Sequence, residues 1–158
     1  MTGARGVLGV GLDLVDVGSF AAQLDVVGST MATSTFTAAE LAEADTVGRD
    51  RPADGLARAR RLAGRFAAKE AFVKAWSNTR FGTSPQLPTW SPSDIEVVVD
   101  AWGRSRLRLH GPVARTVADH FGDDWALHLS CSHDGPLAAA IVVLAATPRR
   151  TGAREAGR

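Results

Sequence analysis

The stretch RFAAKEAFVKAW, residues 65–76, predicts the middle of a long helix on which the rest of the chain packs. It is rich in alanine, has no proline or glycine, and places Glu70 and Lys74 four residues apart. We expect this helix from about residue 54 to residue 76. At about 100° per residue it has a small-residue face, an apolar arc and a basic edge. The first holds Ala63, Ala67, Glu70 and Lys74, the second Leu62, Phe66 and Val73, and the third Arg58, Arg61, Arg65 and Lys69.

An acid and an amine at this spacing have two interpretations. As an exposed pair, Glu70 and Lys74 would contribute about 0.3 kcal/mol to the helix and have no further role. As part of a site, they would bring opposite charges to one surface patch. Other parts of the sequence favour the second interpretation.

The length and composition indicate one globular domain. The chain has 158 residues, of which 45% are apolar and 22% are charged. This length is typical of one domain, and this balance is typical of a soluble protein with a packed core. We expect the domain to span residues 1–147. The Arg-, Gly- and Pro-rich residues 148–158 are expected to form a disordered tail.

The composition also excludes several classes of protein. No apolar run reaches the roughly 18 residues needed to cross a bilayer, and the first residues, MTGARGVLGVGL, lack a cleavable-signal pattern. A formal net charge of +1 argues against general nucleic-acid binding. One cysteine, Cys131, rules out an intrachain disulfide framework. We therefore expect a cytoplasmic protein that has neither a membrane nor a nucleic acid as partner.

The segment VLGVGLDLVDV, residues 7–17, predicts a buried strand. Alternation places Gly9, Gly11, Asp13 and Val15 on one face. Burying a lone carboxylate is costly unless a cation or hydrogen-bond donors meet it, and neighbouring glycines leave room for a close approach. The pattern allows two interpretations of Asp13. It could belong to a functional site, or it could be an aspartate at the end of a strand that reaches water or caps the next helix.

The remaining pattern predicts an α+β domain in which helices pack on an antiparallel sheet. Thr37 followed by Glu40 is a capping box that begins a helix, and residues 77–92, with three prolines, are expected to be irregular. Further helices are expected at 18–27 and 111–121, a hairpin at 94–109, strands at 125–132 and 137–146, and a turn at 133–136.

Four side chains are the candidates for chemistry: Asp13, Glu70, Lys74 and His133. Two carboxylates could chelate Mg²⁺, which takes its remaining ligands from water and substrate phosphate, and the nearby basic edge would suit a pyrophosphate. This combination predicts a phosphoryl-transfer site. A dyad of Cys131 and His133 is a weaker alternative, because a lone cysteine in an apolar strand is usually a core residue.

The sequence closely resembles the holo-(acyl-carrier-protein) synthases, the short class of 4'-phosphopantetheinyl transferases, and its layout is most similar to the actinobacterial members. The glycine-rich aspartate strand followed by the (F/W)xxKExxxK helix is specific to this superfamily. The resemblance spans nearly the whole chain. It is carried by GVGLDLVDV at 9–17, FTAAEL at 36–41, LAGRFAAKEAFVKAW at 62–76, DIEVVVDAWGRSRLRL at 94–109 and HLSCSHDGPLAAAIVVL at 128–144.

The resemblance implies transfer of 4'-phosphopantetheine from coenzyme A to a serine of an acyl carrier protein, or of a carrier domain in a fatty acid or polyketide synthase. The reaction depends on Mg²⁺ and releases adenosine 3',5'-bisphosphate. The family fold is an antiparallel sheet with a long central helix, assembled as a homotrimer whose active sites lie between subunits.

The resemblance also implies roles for individual residues. Asp13 and Glu70 match the metal ligands, and Glu70, Lys74 and His133 match the catalytic residues. The coenzyme A contacts match Arg65, Lys74, Ser77 and His133.

One position departs from the family, because Ser19 occupies the place of an arginine that meets the acidic carrier protein. Val15 stands where the larger class of these transferases has an acid, as in the short class. Two other functions are left open. One is a metal-dependent hydrolase of coenzyme A or of a nucleotide pyrophosphate, and the other is a non-catalytic subunit that binds the carrier protein.

Overall fold

The computed structural model describes residues 6–50, 55–84, 87 and 89–147, and these residues form the α+β fold that the sequence predicts. The strands are β1 (Gly6–Asp16), β2 (Ile95–Val99), β3 (Ser105–Leu109), β4 (Trp125–Asp134) and β5 (Leu137–Ala146). The helices are α1 (Val17–Leu24), α2 (Met31–Thr35), α3 (Ala38–Asp50), α4 (Ala57–Thr79) and α5 (Gly111–Phe121). The expected tail at 148–158 lies outside the described residues.

Both sheets are antiparallel. The larger sheet has the order β1-β5-β4, so that the last strand of the chain lies in the middle. Its register pairs Asp13 with Ala140, and Ala140 with Cys131 on the other side. The smaller sheet is the β2–β3 hairpin. Helix α4 packs across β1 and β5 and forms the centre of the molecule.

Two glycines allow α4 to lie directly on β1. A Cβ atom at Gly11 would stand 1.9 Å from the backbone oxygen of Ala71, and one at Gly9 would stand 2.2 Å from that of Ala75. Both obstacles are helix backbone, which cannot rotate away as a side chain does. The glycines that precede Asp13 therefore bring the strand close enough for Asp13 to reach side chains of α4.

Replacing Gly11 by alanine is expected to lower the free energy of unfolding by about 2 kcal/mol, because the methyl group forces the strand away from the helix. Denaturant titration measures this loss. Gly55→Ala is the matched control, since a Cβ atom there meets nothing within 4 Å. Equal denaturation midpoints for Gly11→Ala and Gly55→Ala would contradict the close packing of β1 on α4.

The described core has two parts on either side of α4. One part contains Ala71, Phe72 and Trp76 of α4 with Val142 and Leu144 of β5. The other lies beneath α1, where Phe20 stacks edge-on against Phe36 and at a tilt against Phe66. Helix α1 is therefore held by aromatic packing at the end of the strand that carries Asp13.

A buried ion pair joins α3, α4 and the hairpin. Lys69 Nζ lies 2.9 Å from Glu40 Oε2 and also donates to the carbonyl oxygens of Pro92 and Ile95. Glu40 accepts from the backbone N–H groups of Thr37 and Val97, and Thr37 Oγ1 accepts from the N–H of Glu40. This reciprocal pair confirms the predicted capping box.

Several predicted boundaries need correction. The prediction missed α2, and α1 ends at Leu24 rather than at residue 27. Helix α4 continues three residues beyond the predicted end, to Thr79. His133 was expected in a turn, but β4 continues to Asp134 because its backbone still pairs with β5. The predicted basic edge is wrong at Arg65 and Lys69, whose side chains are 5% and 2% exposed.

The face of the larger sheet that points away from α4 is apolar and exposed. Leu12 is 55% exposed and Leu14 is 61% exposed, and Val10 and Ile141 lie beside them. Contiguous exposed apolar surface of this kind marks contact sites between proteins. In the described part of the chain, no helix has both the length and the apolar character needed to cross a membrane.

Candidate active site

Asp13 follows closely after the glycines at which β1 lies against the second half of α4. Its side chain is only 14% exposed, and Lys74 Nζ lies 2.8 Å from its Oδ1 atom. The same ammonium group donates to the carbonyl oxygen of Leu12 at 3.1 Å. Asp13 is therefore a partly buried acid that a lysine from the neighbouring helix meets.

Glu70 lies one turn before Lys74 on the same face of α4, and its side chain is half-buried. Burial raises the pKa of Glu70, and the negative charge of Asp13 raises it further, whereas Lys74 lowers it. The two carboxylates are thus close enough to repel each other. A positive charge placed between them would relieve this repulsion.

The two acids open onto one cavity of about 380 Å³. Its walls come from the end of β1, from α1 and from α4. They are formed by Asp13, Leu14, Val15, Asp16, Ser19, Phe20, Gln23, Phe66 and Glu70. Asp16 caps α1 by accepting a hydrogen bond from the N–H of Ser19 at 2.7 Å. Hydrogen bonds from Ser19 and Gly18 lower the pKa of Asp16.

The donor set of the cavity fits a hard divalent cation. Asp13 and Glu70 present carboxylate oxygens, which Mg²⁺ prefers, and Mg²⁺ needs only one or two of them because water and substrate phosphate complete its shell. No group of three or more His, Cys, Asp or Glu side chains suited to a metal occurs within the described ranges. A metal held here would therefore remain open to substrate.

His133 lies elsewhere in the same chain. It projects from β4 towards the first half of α4, where its Nε2 atom lies 3.0 Å from the carbonyl oxygen of Arg60. A Cβ atom at Gly64 would stand 2.9 Å from this nitrogen, so glycine makes room for the imidazole. His133 is not among the residues that line the cavity.

The two weaker coenzyme A candidates also lie away from the cavity walls. Arg65 is buried and forms an ion pair with Glu43 of α3. Burial lowers the pKa of Arg65, and Glu43 opposes this shift. Ser77 is exposed near the end of α4. The structure therefore brings together Asp13, Glu70 and Lys74, and it separates His133 and Arg65 from them within one chain. Ser77 does not line the cavity, but it lies one turn after Lys74 on α4.

Asn78 is a residue of the site region that the sequence interpretation missed. Its Nδ2 atom donates to the carbonyl oxygen of Val10 at 2.9 Å, and Val10 lies two residues before Leu12, whose carbonyl oxygen accepts from Lys74. Lys74 and Asn78 together bind the edge of β1 to α4. Asn78 lies four residues after Lys74, which places the two side chains on one face of α4, and this spacing could have indicated Asn78 from the sequence.

Cys131 has the properties of a core residue. Burial raises the pKa of its thiol, so that the reactive thiolate is disfavoured at neutral pH. A thiol–histidine dyad with His133 therefore has no support from this geometry.

Comparisons with known proteins agree with this geometry. Residues 9–140 match the family model of the 4'-phosphopantetheinyl transferase superfamily. The chain is 45% identical over 141 residues to the holo-(acyl-carrier-protein) synthase of Mycobacterium tuberculosis, covering 89% of this chain and 98% of that protein. It is 45% identical to the synthase of Nocardia farcinica, with 87% of each chain covered.

Solved structures give the same result. The chain is similar to the ACPS–CoA complex of Chronobacterium ammoniagenes, with a TM-score of 0.76 and 40% identity over 88% of this chain and 97% of that one. It is also similar to the holo-(acyl-carrier-protein) synthase of Bacillus anthracis in complex with CoA (3',5'-ADP). That match has a TM-score of 0.63 and 29% identity, and it covers 91% of this chain and all of that one.

Proposed function

The chain belongs to the 4'-phosphopantetheinyl transferase superfamily and, within it, to the holo-(acyl-carrier-protein) synthases, and we propose that it transfers 4'-phosphopantetheine from coenzyme A to a carrier-protein serine. The observation that carries this proposal is the meeting of Asp13 and Glu70 at one cavity, with Lys74 beside Asp13. This arrangement suits a pyrophosphate that reacts at phosphorus.

Mg²⁺ would be held by Asp13 and Glu70, two of the three carboxylates that line the cavity, since the third, Asp16, caps α1. When bound, the ion supplies positive charge that stabilises the pyrophosphate of coenzyme A. The raised pKa of Glu70 supports this assignment, because part of the shift comes from the neighbouring charge of Asp13.

The side chains of the chain itself bind and orient the substrates. Lys74, whose side chain is 52% exposed, neutralises negative charge that develops on the phosphoryl oxygens. The serine Oγ–P bond forms as the P–O bond to adenosine 3',5'-bisphosphate breaks. The serine proton passes either to Glu70 or to an ordered water molecule, and the leaving group departs as the 3',5'-bisphosphate.

The assembly that we propose is a homotrimer with active sites between subunits. The exposed apolar face around Leu12, Leu14 and Ile141 supports contact between copies. His133 does not line the cavity of its own chain, so its nucleotide-binding role requires a neighbouring subunit. In this assembly, Arg65 and Ser77 would act at the coenzyme A side of the site. A cytoplasmic location, where coenzyme A and carrier protein are both present, completes the proposal.

The direct test is the intact mass of a purified carrier protein after incubation with the enzyme, coenzyme A and Mg²⁺. We expect a gain of about 340 Da, the mass of one phosphopantetheine group. Release of adenosine 3',5'-bisphosphate without a carrier protein would instead indicate a hydrolase. Binding of the carrier without a mass gain would indicate a non-catalytic subunit.

Replacing Asp13 by asparagine is expected to raise the Mg²⁺ concentration that gives half-maximal rate by about tenfold, because a neutral amide is a weaker ligand than a carboxylate. Initial rates over a Mg²⁺ titration at saturating coenzyme A measure this change. Asp123→Asn, outside the residues that line the cavity, is the control and should leave the titration unchanged. An unaltered titration in Asp13→Asn would remove Asp13 from the metal site.

A further inference from the structure

Helix α4 binds the free edge of β1 through side chains spaced by four residues. Among the described strands, β1 pairs with β5 alone, and the carbonyl oxygens of alternate residues on such an edge strand point away from the neighbouring strand. Asn78 Nδ2 donates to the carbonyl oxygen of Val10 at 2.9 Å, and Lys74 Nζ donates to that of Leu12 at 3.1 Å. We call these two contacts the α4–β1 ladder, and each of them is a rung.

The ladder repeats because the helix and the strand advance by similar lengths. Four helix residues rise about 6 Å, and two strand residues rise about 6.6 Å. From one rung to the next, the residue number falls by four on α4 and rises by two on β1, so the two elements run in opposite directions. The next rung in this series pairs Glu70 with Leu14.

This third rung has no donor. An ionised carboxylate only accepts hydrogen bonds, so Glu70 in that form cannot bind the carbonyl oxygen of Leu14. Glu70, Leu14 and the neighbouring Asp13 all line the cavity. The cavity therefore opens where the ladder ends, and the two rungs before it set the position of Asp13 along α4 relative to Glu70.

The two rungs differ in their other contacts. Lys74 also pairs with Asp13 Oδ1 at 2.8 Å, so its ammonium group is shared between the strand backbone and an acid of the site. The amide of Asn78 donates to two backbone carbonyl oxygens, that of Val10 and, at 3.3 Å, that of Lys74. Because this amide is neutral, Asn78 holds β1 whatever charge the site carries.

We infer that Asn78 is a positioning residue for the metal site, which fixes the register of β1 on α4 and so keeps Asp13 and Glu70 at the spacing that one divalent cation requires. This inference rests on the proposed function, which assigns these two acids to Mg²⁺. Mg²⁺ demands near-ideal octahedral geometry, so a small shift of one carboxylate weakens its binding. Gly9 and Gly11 let the strand approach the helix, but they have no side chain that could fix its position along the helix.

The first experiment measures metal binding by the free enzyme. The probe is Mn²⁺, which prefers the same oxygen ligands as Mg²⁺, and electron paramagnetic resonance counts the unbound ion without coenzyme A or carrier protein. Asn78→Ala is expected to raise the dissociation constant for Mn²⁺ about fivefold, which is less than the roughly 10- to 100-fold typical of partners that contact a metal ligand directly. Asn78→Gln keeps the amide donor and is expected to restore binding to within about twofold of the wild type.

The same proteins are then compared in stability and turnover. Alanine is the better helix former, so we expect the melting temperature of Asn78→Ala to stay within about 3 °C of the wild type. The Mg²⁺ concentration for half-maximal rate should rise about fivefold, while kcat at saturating Mg²⁺ stays within about twofold. Thr46→Ala is the matched control, because it removes another exposed donor to a carbonyl oxygen, that of Glu43 on α3, and should leave Mn²⁺ binding unchanged.

A double-mutant cycle tests whether the two rungs share one function. Lys74→Met removes the other rung and also the charge beside Asp13, and comparing Asn78→Ala in the two backgrounds cancels the effect of that charge. We expect Asn78→Ala to weaken Mn²⁺ binding by a larger factor in the Lys74→Met background, since no rung then remains. Equal factors in the two backgrounds would contradict a shared function.

The outcomes separate this inference from the proposed function. Unchanged Mn²⁺ binding in Asn78→Ala, or failure of Asn78→Gln to restore it, would overturn the inference and leave the proposed function intact. If the wild type transfers no phosphopantetheine but the Mn²⁺ measurements follow the expected pattern, the inference stands and the proposed transfer is rejected. A wild type that binds no Mn²⁺ would overturn both the metal site and the role of Asn78.

Discussion

Glu70→Gln is expected to lower kcat for phosphopantetheine transfer by at least about 100-fold. Glu70 lines the cavity together with Asp13, and a neutral amide there weakens metal binding and accepts no proton. Because both interactions belong to the reacting complex, we expect the loss mainly in kcat. Initial rates at saturating Mg²⁺, coenzyme A and carrier protein measure it.

The fold is expected to survive this substitution. Burial and the charge of Asp13 raise the pKa of Glu70 in the folded protein, so its ionised form costs stability as the pH rises from the unfolded-state pKa through the folded-state pKa. Removing that charge should leave the metal-free protein at least as stable at pH 7.

Asp45→Asn is the matched control, because Asp45 is an exposed acid paired with Arg58 and is not among the residues that line the cavity. It should retain the wild-type kcat. A wild-type kcat in Glu70→Gln would exclude Glu70 from the mechanism.

Lys69→Met is expected to lower the free energy of unfolding by about 3–5 kcal/mol, although Lys69 is adjacent in sequence to the site. Its ammonium group is buried and contacts Glu40 and two carbonyl oxygens. Removing it leaves the carboxylate of Glu40 buried without its cation. In a chain of this length the melting temperature should fall by roughly 10 °C, measured at fixed protein concentration.

Arg58→Met is the control for this prediction. It breaks the pair with Asp45, in which both side chains are exposed, and such pairs contribute less than about 1 kcal/mol. The contrast separates a buried ion pair from a surface one on the same helix. A Lys69→Met protein that melted at the wild-type temperature would contradict the burial of this side chain.

The local elements were predictable because their signals are local. Residues 65–76 have strong helix propensity, the glycine-punctuated run at 7–17 has strand periodicity, and Thr37 with Glu40 forms a capping box. Each depends on neighbours fewer than five positions away. The short helix α2 was missed, because a glycine- and serine-rich segment gives no such periodicity.

The pairing of Asp13 with Lys74 was only partly predictable. Glycines at positions 9 and 11 indicated a close approach to β1, and the spacing of Glu70 and Lys74 put both on one helix face. The identity of the element that approaches β1 depends on sheet order, which places β5 between β1 and β4. Long-range pairing of this kind has no local signature.

The sequence by itself therefore determined the helix, the strand and the residue types that bear charge. Only the tertiary structure decided which charged groups meet beside the cavity and which are buried in the core. A helical wheel gives the direction of Arg65 and Lys69 but not their burial. Acids of α3 pair with both side chains, and the hairpin also contacts Lys69. Likewise, His133 on β4 lies beside Arg60 in the first half of α4, away from Glu70 and Lys74. Strand order and register, rather than distance along the sequence, decide which groups meet.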